Sequence, residues 1–89
     1  MDKYEYKHKV AKEKKDYARE VMELPLAKDV KQKDREEWQR KHILYLEICE
    51  QIVICEELVR PLTKEMIKEL CGLKTVREIR NYCRKVKIA

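Results

Sequence analysis

The chain runs from Glu36 to Val59 without a glycine or a proline. From Ile43 onward this stretch is mostly apolar: Ile43, Leu44, Tyr45, Leu46, Ile48 and Cys49, then Ile52, Val53, Ile54, Cys55, Leu58 and Val59. Glu47, Glu50, Glu56 and Glu57 interrupt it, so it is not a membrane span, which needs about 20 near-continuous apolar residues. Trp38, Tyr45, Cys49, Ile52, Leu58 and Val59 can be followed at helical spacing. Ile48, Ile52, Val53 and Ile54 favour a strand, but the stretch far exceeds the usual strand of about 5–6 residues. It is therefore read as one long helix. Its apolar circumference is wider than a single partner helix covers, so neighbours are expected on more than one side. The same surplus predicts a homodimer through the 36–59 helix.

At 89 residues the chain is expected to form a single domain, 1–89, with a modest core. It holds one glycine (Gly72), two prolines (Pro25, Pro61), no phenylalanine and no serine. Such sparse punctuation suits a few helices with short joints rather than an all-β fold. The expected class is all-α: a helical hairpin with one long central helix (1–59), then a pair of short basic helices (60–89). The opening Met-Asp-Lys-Tyr-Glu-Tyr-Lys has no apolar signal core, which predicts a cytoplasmic protein.

Asp2 to Leu24 reads as the first helix. Asp2 and Glu5 are placed as a capping box, and Tyr6, Val10, Tyr17, Val21 and Leu24 share a face with Ala18. Its lysine-rich run, Lys7 to Lys15, is balanced by acids and reads as a solvated face. Pro25 disfavours helical geometry at Leu24. Asp29, with Gln32 three residues on, then suits the N-cap of a second helix from about Val30 to Val59, roughly 45 Å long at 1.5 Å per residue. A short joint makes the two helices antiparallel neighbours, with Trp38 packed between them and His42 in a structural role. Past Arg60-Pro61, Thr63 is the N-cap of a short helix from Lys64 to Cys71, and Gly72 ends it. Thr75 and Glu78 form a Thr-x-x-Glu capping box for the last helix. Val76, Ile79, Cys83 and Val86 are its apolar stripe.

Cys49, Cys55, Cys71 and Cys83 form no Cys-x-x-Cys pair, and His8 and His42 are far from them in sequence. Zinc sites want paired ligands at short spacing, so no metal is expected. All four are read as reduced thiols on apolar faces, where free cysteine behaves as a small hydrophobe. Without serine, a glycine-rich phosphate loop or a partnered histidine, no enzyme and no cofactor are expected.

The net charge of +5 is uneven. Residues 1–24 carry seven bases and six acids, residues 25–59 six and eight, and residues 60–89 nine and three. The whole positive excess thus sits in the last third. There a short capped helix, a glycine turn and a second capped helix with a basic outer face follow one another. Residues 62–86 resemble the helix-turn-helix superfamily: Ile67 and Cys71 match buried positions of its first helix, Gly72 its turn, and Leu73 the residue after. The resemblance implies that Thr75 to Val86 is a recognition helix in the major groove of duplex DNA. It makes Arg77, Arg80, Asn81 and Arg84 candidate base or phosphate contacts and Lys74, Lys85 and Lys87 phosphate contacts. The implied function is that of a small transcriptional or replication regulator. The alternative partner for the same basic face is an acidic protein, which would make the chain a small inhibitor or adaptor.

Overall fold

The computed structural model describes residues 3–88, with side chains from Glu5 onward. The chain is all-α: α1 (Lys3–Met22), α2 (Arg35–Leu58), α3 (Lys64–Cys71) and α4 (Val76–Ile88), with no strand among the described residues. The expected Asp2 cap lies outside them.

Everything packs on α2. Tyr45, Ile48, Ile52 and Cys55 recur every three or four residues and are buried. This inner stripe departs from the one anticipated, since Leu58 at the end of α2 is 79% exposed. Leu62, Ile67 and Leu70 reach the core from the α3 side, and Ile79 and Cys83 from α4. The α1 contribution rests on small side chains. Ala11 and Ala18, seven residues apart, are buried, and their size lets two helix backbones approach closely. Tyr6, placed by its spacing on the same face, is instead exposed. Neighbours therefore lie on several sides of α2: α1, α3 and α4 all touch it, and α3 also rests on α1. α3 and α4 each pack more closely on α2 than on each other. Between them the Tyr82 hydroxyl donates to the Glu69 carboxylate.

The first joint differs from expectation. α1 stops at Met22, before Pro25 could stop it. The Leu24 N–H donates to the Arg19 carbonyl and the Glu23 N–H to the Glu20 carbonyl, each at 3.1 Å. This is the paired-bond ending that normally puts glycine in the left-handed position. Here Glu23 takes that position, with φ of 53°. The buried Leu24 anchors the turn. Arg19 donates to the carbonyls of Leu24 and Pro25, and Trp38 Nε1 donates to the Pro25 carbonyl at 2.9 Å.

Nor does Asp29 cap α2. Ala27–Asp29 and Gln32–Asp34 form two separate 3-10 turns, and α2 begins at Arg35 with no side-chain cap from Asp34. The two turns hold no buried residue. A helix extended back to Val30 would bury nothing over residues 31–34, and most helical stability in proteins comes from packing an apolar face.

The second and third joints follow their capping residues. The Met66 N–H donates to Thr63 Oγ1 at 3.2 Å, and the Glu78 N–H to Thr75 Oγ1 at 3.1 Å. The Glu78 carboxylate reaches back to the N–H of Lys74, one residue before the cap. Gly72 ends α3 in ordinary right-handed geometry, with φ of −88°.

Candidate nucleic-acid interface

α4 is held to α2 by Ile79 and Cys83, both fully buried, with Val76, Tyr82 and Val86 half-buried beside them. With the apolar stripe turned inward, the helical period puts Arg77, Asn81 and Arg84 (spaced four and three) on the opposite face. All three are exposed, and so are Lys74 and Lys85. No ion pair within the chain engages Arg77, Arg84 or Lys85 among the described residues.

The other two candidates turn toward α2. Arg80 Nε lies 2.6 Å from Glu47 Oε1. Lys87 Nζ donates to Gln51 Oε1 at 2.9 Å. Glu47 and Gln51 are the buried polar residues of the core, one turn apart on α2. They form a polar edge along which α4 is seated. Arg80 still keeps 63% of its side chain exposed, against 8% for Glu47. The hydrogen bond from Arg80 and its attraction to Glu47 hold the guanidinium above its ordinary value, so it stays charged. Periodicity and charge runs do not mark Glu47 or Gln51 as partners of the basic helix. Their signal was two polar side chains four residues apart inside the most apolar run of the chain.

The lysine-rich run on α1 is more engaged than its composition suggests. Lys14 pairs with Glu56 at 2.7 Å and both are largely buried, whereas Lys12 stays exposed. On the same edge of α2, His42 stacks on Trp38 with ring centres 4.5 Å apart. Its Nδ1 is buried without a hydrogen-bond partner. Arg19 lies 4.6 Å over the Tyr45 ring, whose hydroxyl donates to the Lys15 carbonyl.

Of the four thiols, Cys55 and Cys83 are fully buried and Cys49 and Cys71 half-buried. Burial pushes the Cys71 and Cys83 thiols up to about 11 and raises Cys49 and Cys55 as well. Among the described residues, no three histidine, cysteine or acidic side chains gather as a metal site would need. No helix there is long and apolar enough to cross a membrane.

A cleft of about 370 Å³ opens where the first half of α2 faces the α3–α4 turn. Val21, Leu44 and Leu73 line it, and Arg40, Lys41 and Lys74 stand around it with Glu37. Lys74 thus belongs both to this cleft and to the start of α4.

No protein-family profile, curated protein or solved structure matches the chain.

Proposed function

We propose that the chain is a small duplex-DNA-binding protein that presents the outer face of α4 to the nucleic acid. One observation carries this reading: Arg77, Asn81 and Arg84 form an exposed strip on the side of α4 opposite its buried stripe. Arginine can pair with guanine and asparagine with adenine in the major groove, which is wide enough for a helix. Lys74 at the start of the helix and Lys85 beside the strip suit phosphates, which hold a reader in register without specifying sequence. Arg80 and Lys87 have a different part in this reading. Their bonds to Glu47 and Gln51 support the rotation of α4 that its buried stripe sets. A regulator of transcription or replication is the role such a protein would fill.

The test is duplex binding followed by fluorescence anisotropy. Affinity should fall steeply with salt, because each neutralised phosphate releases counterions. Arg84→Ala should cost on the order of 1–3 kcal/mol if that residue reads a base, and should relax sequence preference there. Lys85→Ala should weaken all sequences alike, and Lys12→Ala on α1 should change little. Absence of binding to mixed-sequence duplex at low salt would end the DNA reading.

The basic rim over an apolar floor between α2 and the α3–α4 turn favours a second reading, an acidic protein partner. It predicts capture lost on Lys74→Glu while duplex DNA is not retained.

A further inference from the structure

Two depressions flank the first half of α2. One, of about 410 Å³ beside Trp38, is lined by Lys31, Lys33 and Lys41 and by Asp29, Asp34 and Glu37, so its charges cancel. The other is the cleft of about 370 Å³ against the α3–α4 turn, where Arg40, Lys41 and Lys74 stand with a single acid, Glu37. The cleft is also the more enclosed of the two. Arg40 and Lys41 precede Leu44 by four and three residues, so two cations and an apolar side chain share one face of α2. Leu73 and Lys74 form the opposite wall, and Val21 and Met22 close the cleft from the end of α1. Leu44 and Leu73 are half-buried and line the floor. None of Glu37, Arg40, Lys41 and Lys74 has an ion-pair partner within the chain among the described residues. Cys71 adds no negative charge at neutral pH: its thiol donates to the Ala18 carbonyl, and burial pushes it up to about 11.

We propose that this cleft binds a small amphipathic carboxylate, with its apolar body on Leu44 and Leu73 and its carboxylate against Arg40, Lys41 and Lys74. Size selects a small molecule. Pockets for such ligands run from about 300 to 1,000 Å³, whereas a stable protein interface buries about 1,200–2,000 Å². Charge selects an anion, because three bases against one acid leave the rim positive. The floor selects an anion with a body to bury, since a bare inorganic ion would leave the apolar side chains wet. Arg40 suits a carboxylate in particular, which its guanidinium can hold through two parallel hydrogen bonds.

Occupancy of the cleft also bears on α4. Lys74 lines the cleft and stands two residues before Val76, where α4 begins. A carboxylate held there engages a cation that the DNA reading assigns to a phosphate. Ligand and duplex should therefore weaken each other's binding, by the same factor in both directions. Only this consequence rests on the DNA reading; the site itself does not.

The test is an amide-resolved NMR titration of the full chain with octanoate, an alkyl chain bearing one carboxylate. Saturable shifts are expected at Leu44, Leu73 and Lys74. Octanol, the same chain without the charge, should bind about tenfold more weakly, as loss of a hydrogen bond to a charged group implies. Arg40→Glu should weaken octanoate by about tenfold and leave octanol unchanged, a split that a merely structural effect would not produce. Leu46→Asp, outside the cleft, should alter neither. The absence of saturable shifts at millimolar octanoate would overturn the site, as would shifts centred on Ile43 and Leu46 instead. Equal binding of octanol would overturn the role of the three cations. A glutamate-rich peptide that shifts these amides where octanoate does not would make the occupant an acidic chain and end the small-ligand proposal. DNA does not enter these readouts, so a chain that takes octanoate in the cleft and ignores duplex would sink the DNA reading and leave the site standing.

Discussion

The two edges of α2 are built from different chemistry. On the α1 edge, Trp38, His42 and Tyr45 follow one another along the helix, and Arg19 covers the Tyr45 ring. On the α4 edge, Glu47 and Gln51 hold Arg80 and Lys87. The first edge draws on ring burial and stacking, which salt hardly touches, and its ion pair, Lys14 with Glu56, is largely buried and so weakly screened. The second is a row of polar bonds at the margin of an apolar core. Its ion pair reaches from a buried carboxylate to an exposed guanidinium and is open to screening. Burial holds both helices in place, through Ala11 and Ala18 on α1 and Ile79 and Cys83 on α4, and on α4 the polar row adds directional bonds along its seat. The element with the proposed binding face thus combines a buried apolar stripe with directional bonds from Arg80 and Lys87.

The largest separation between the edges should come from Tyr45→Ala. Removing a buried ring costs about 3 kcal/mol or more, read as a lower urea midpoint, and the loss should barely change with salt. A loss that vanishes in high salt would show the α1 edge to be electrostatic after all. The next effect belongs to alkaline pH. Cys83 on α4 and Cys71 on α3 have thiols raised from 9.0 to about 11. In the unfolded chain these thiols ionise first, so above pH 9 it holds fewer protons than the folded chain. Stability is therefore full below pH 9 and declines up to about pH 11. Replacing Cys83 with valine should flatten that decline. An unchanged slope would remove Cys83 as its source.

Glu47→Gln should cost less than Tyr45→Ala, and the difference from the native chain should shrink as salt rises. It should also loosen Arg80 from α2, and a weaker effect of Arg84→Ala on DNA affinity in the Glu47→Gln background would show that this bond helps to set the rotation of α4. If Glu47→Gln is as costly as Tyr45→Ala at every salt concentration, the contrast between the edges fails. The smallest effects lie at the joints. Glu23 holds a left-handed backbone without being glycine, a geometry that costs other residues roughly 1–2 kcal/mol. After allowing for the extra freedom of an unfolded glycine, Glu23→Gly should gain about 0.5–1 kcal/mol. Gly72 has right-handed geometry, and a Cβ there would meet only the Glu69 carbonyl at 3.5 Å. Gly72→Ala should stay within about 0.5 kcal/mol of the native chain. Thermal melts of both variants would check the pair.

Much of the fold is legible in the sequence because apolar spacing and capping chemistry are local. The stripe of Ile79 and Cys83, the caps at Thr63 and Thr75, and α2 as the common support all follow from residues within a few turns of one another. The first joint was not legible. A glycine advertises a left-handed turn and a glutamate does not, so in the sequence Pro25 is the visible end signal for α1. The start of α2 is not legible either: Asp29 and Gln32 have the right capping spacing, yet no buried residue follows them closely enough to hold a helix. For the candidate interface, helical period alone separates Arg77, Asn81 and Arg84 from the buried side of α4. It could not reveal that Arg80 is drawn to Glu47, 33 residues away. Long-range charge pairing leaves no periodic trace, and only packing brings those two groups together.

Trp38 is the only tryptophan in the chain. Its indole stacks on His42 and is tied to the carbonyl of Pro25, so its fluorescence reports on the meeting of α1 with α2 and on little else. An emission-monitored unfolding curve follows that corner, while far-ultraviolet dichroism averages over all four helices. Superimposable curves would mean that loss of α4 and loss of the corner are one event. A dichroism curve that begins to fall while the emission is still native would identify α4 as a separately melting unit, released from a support that remains folded.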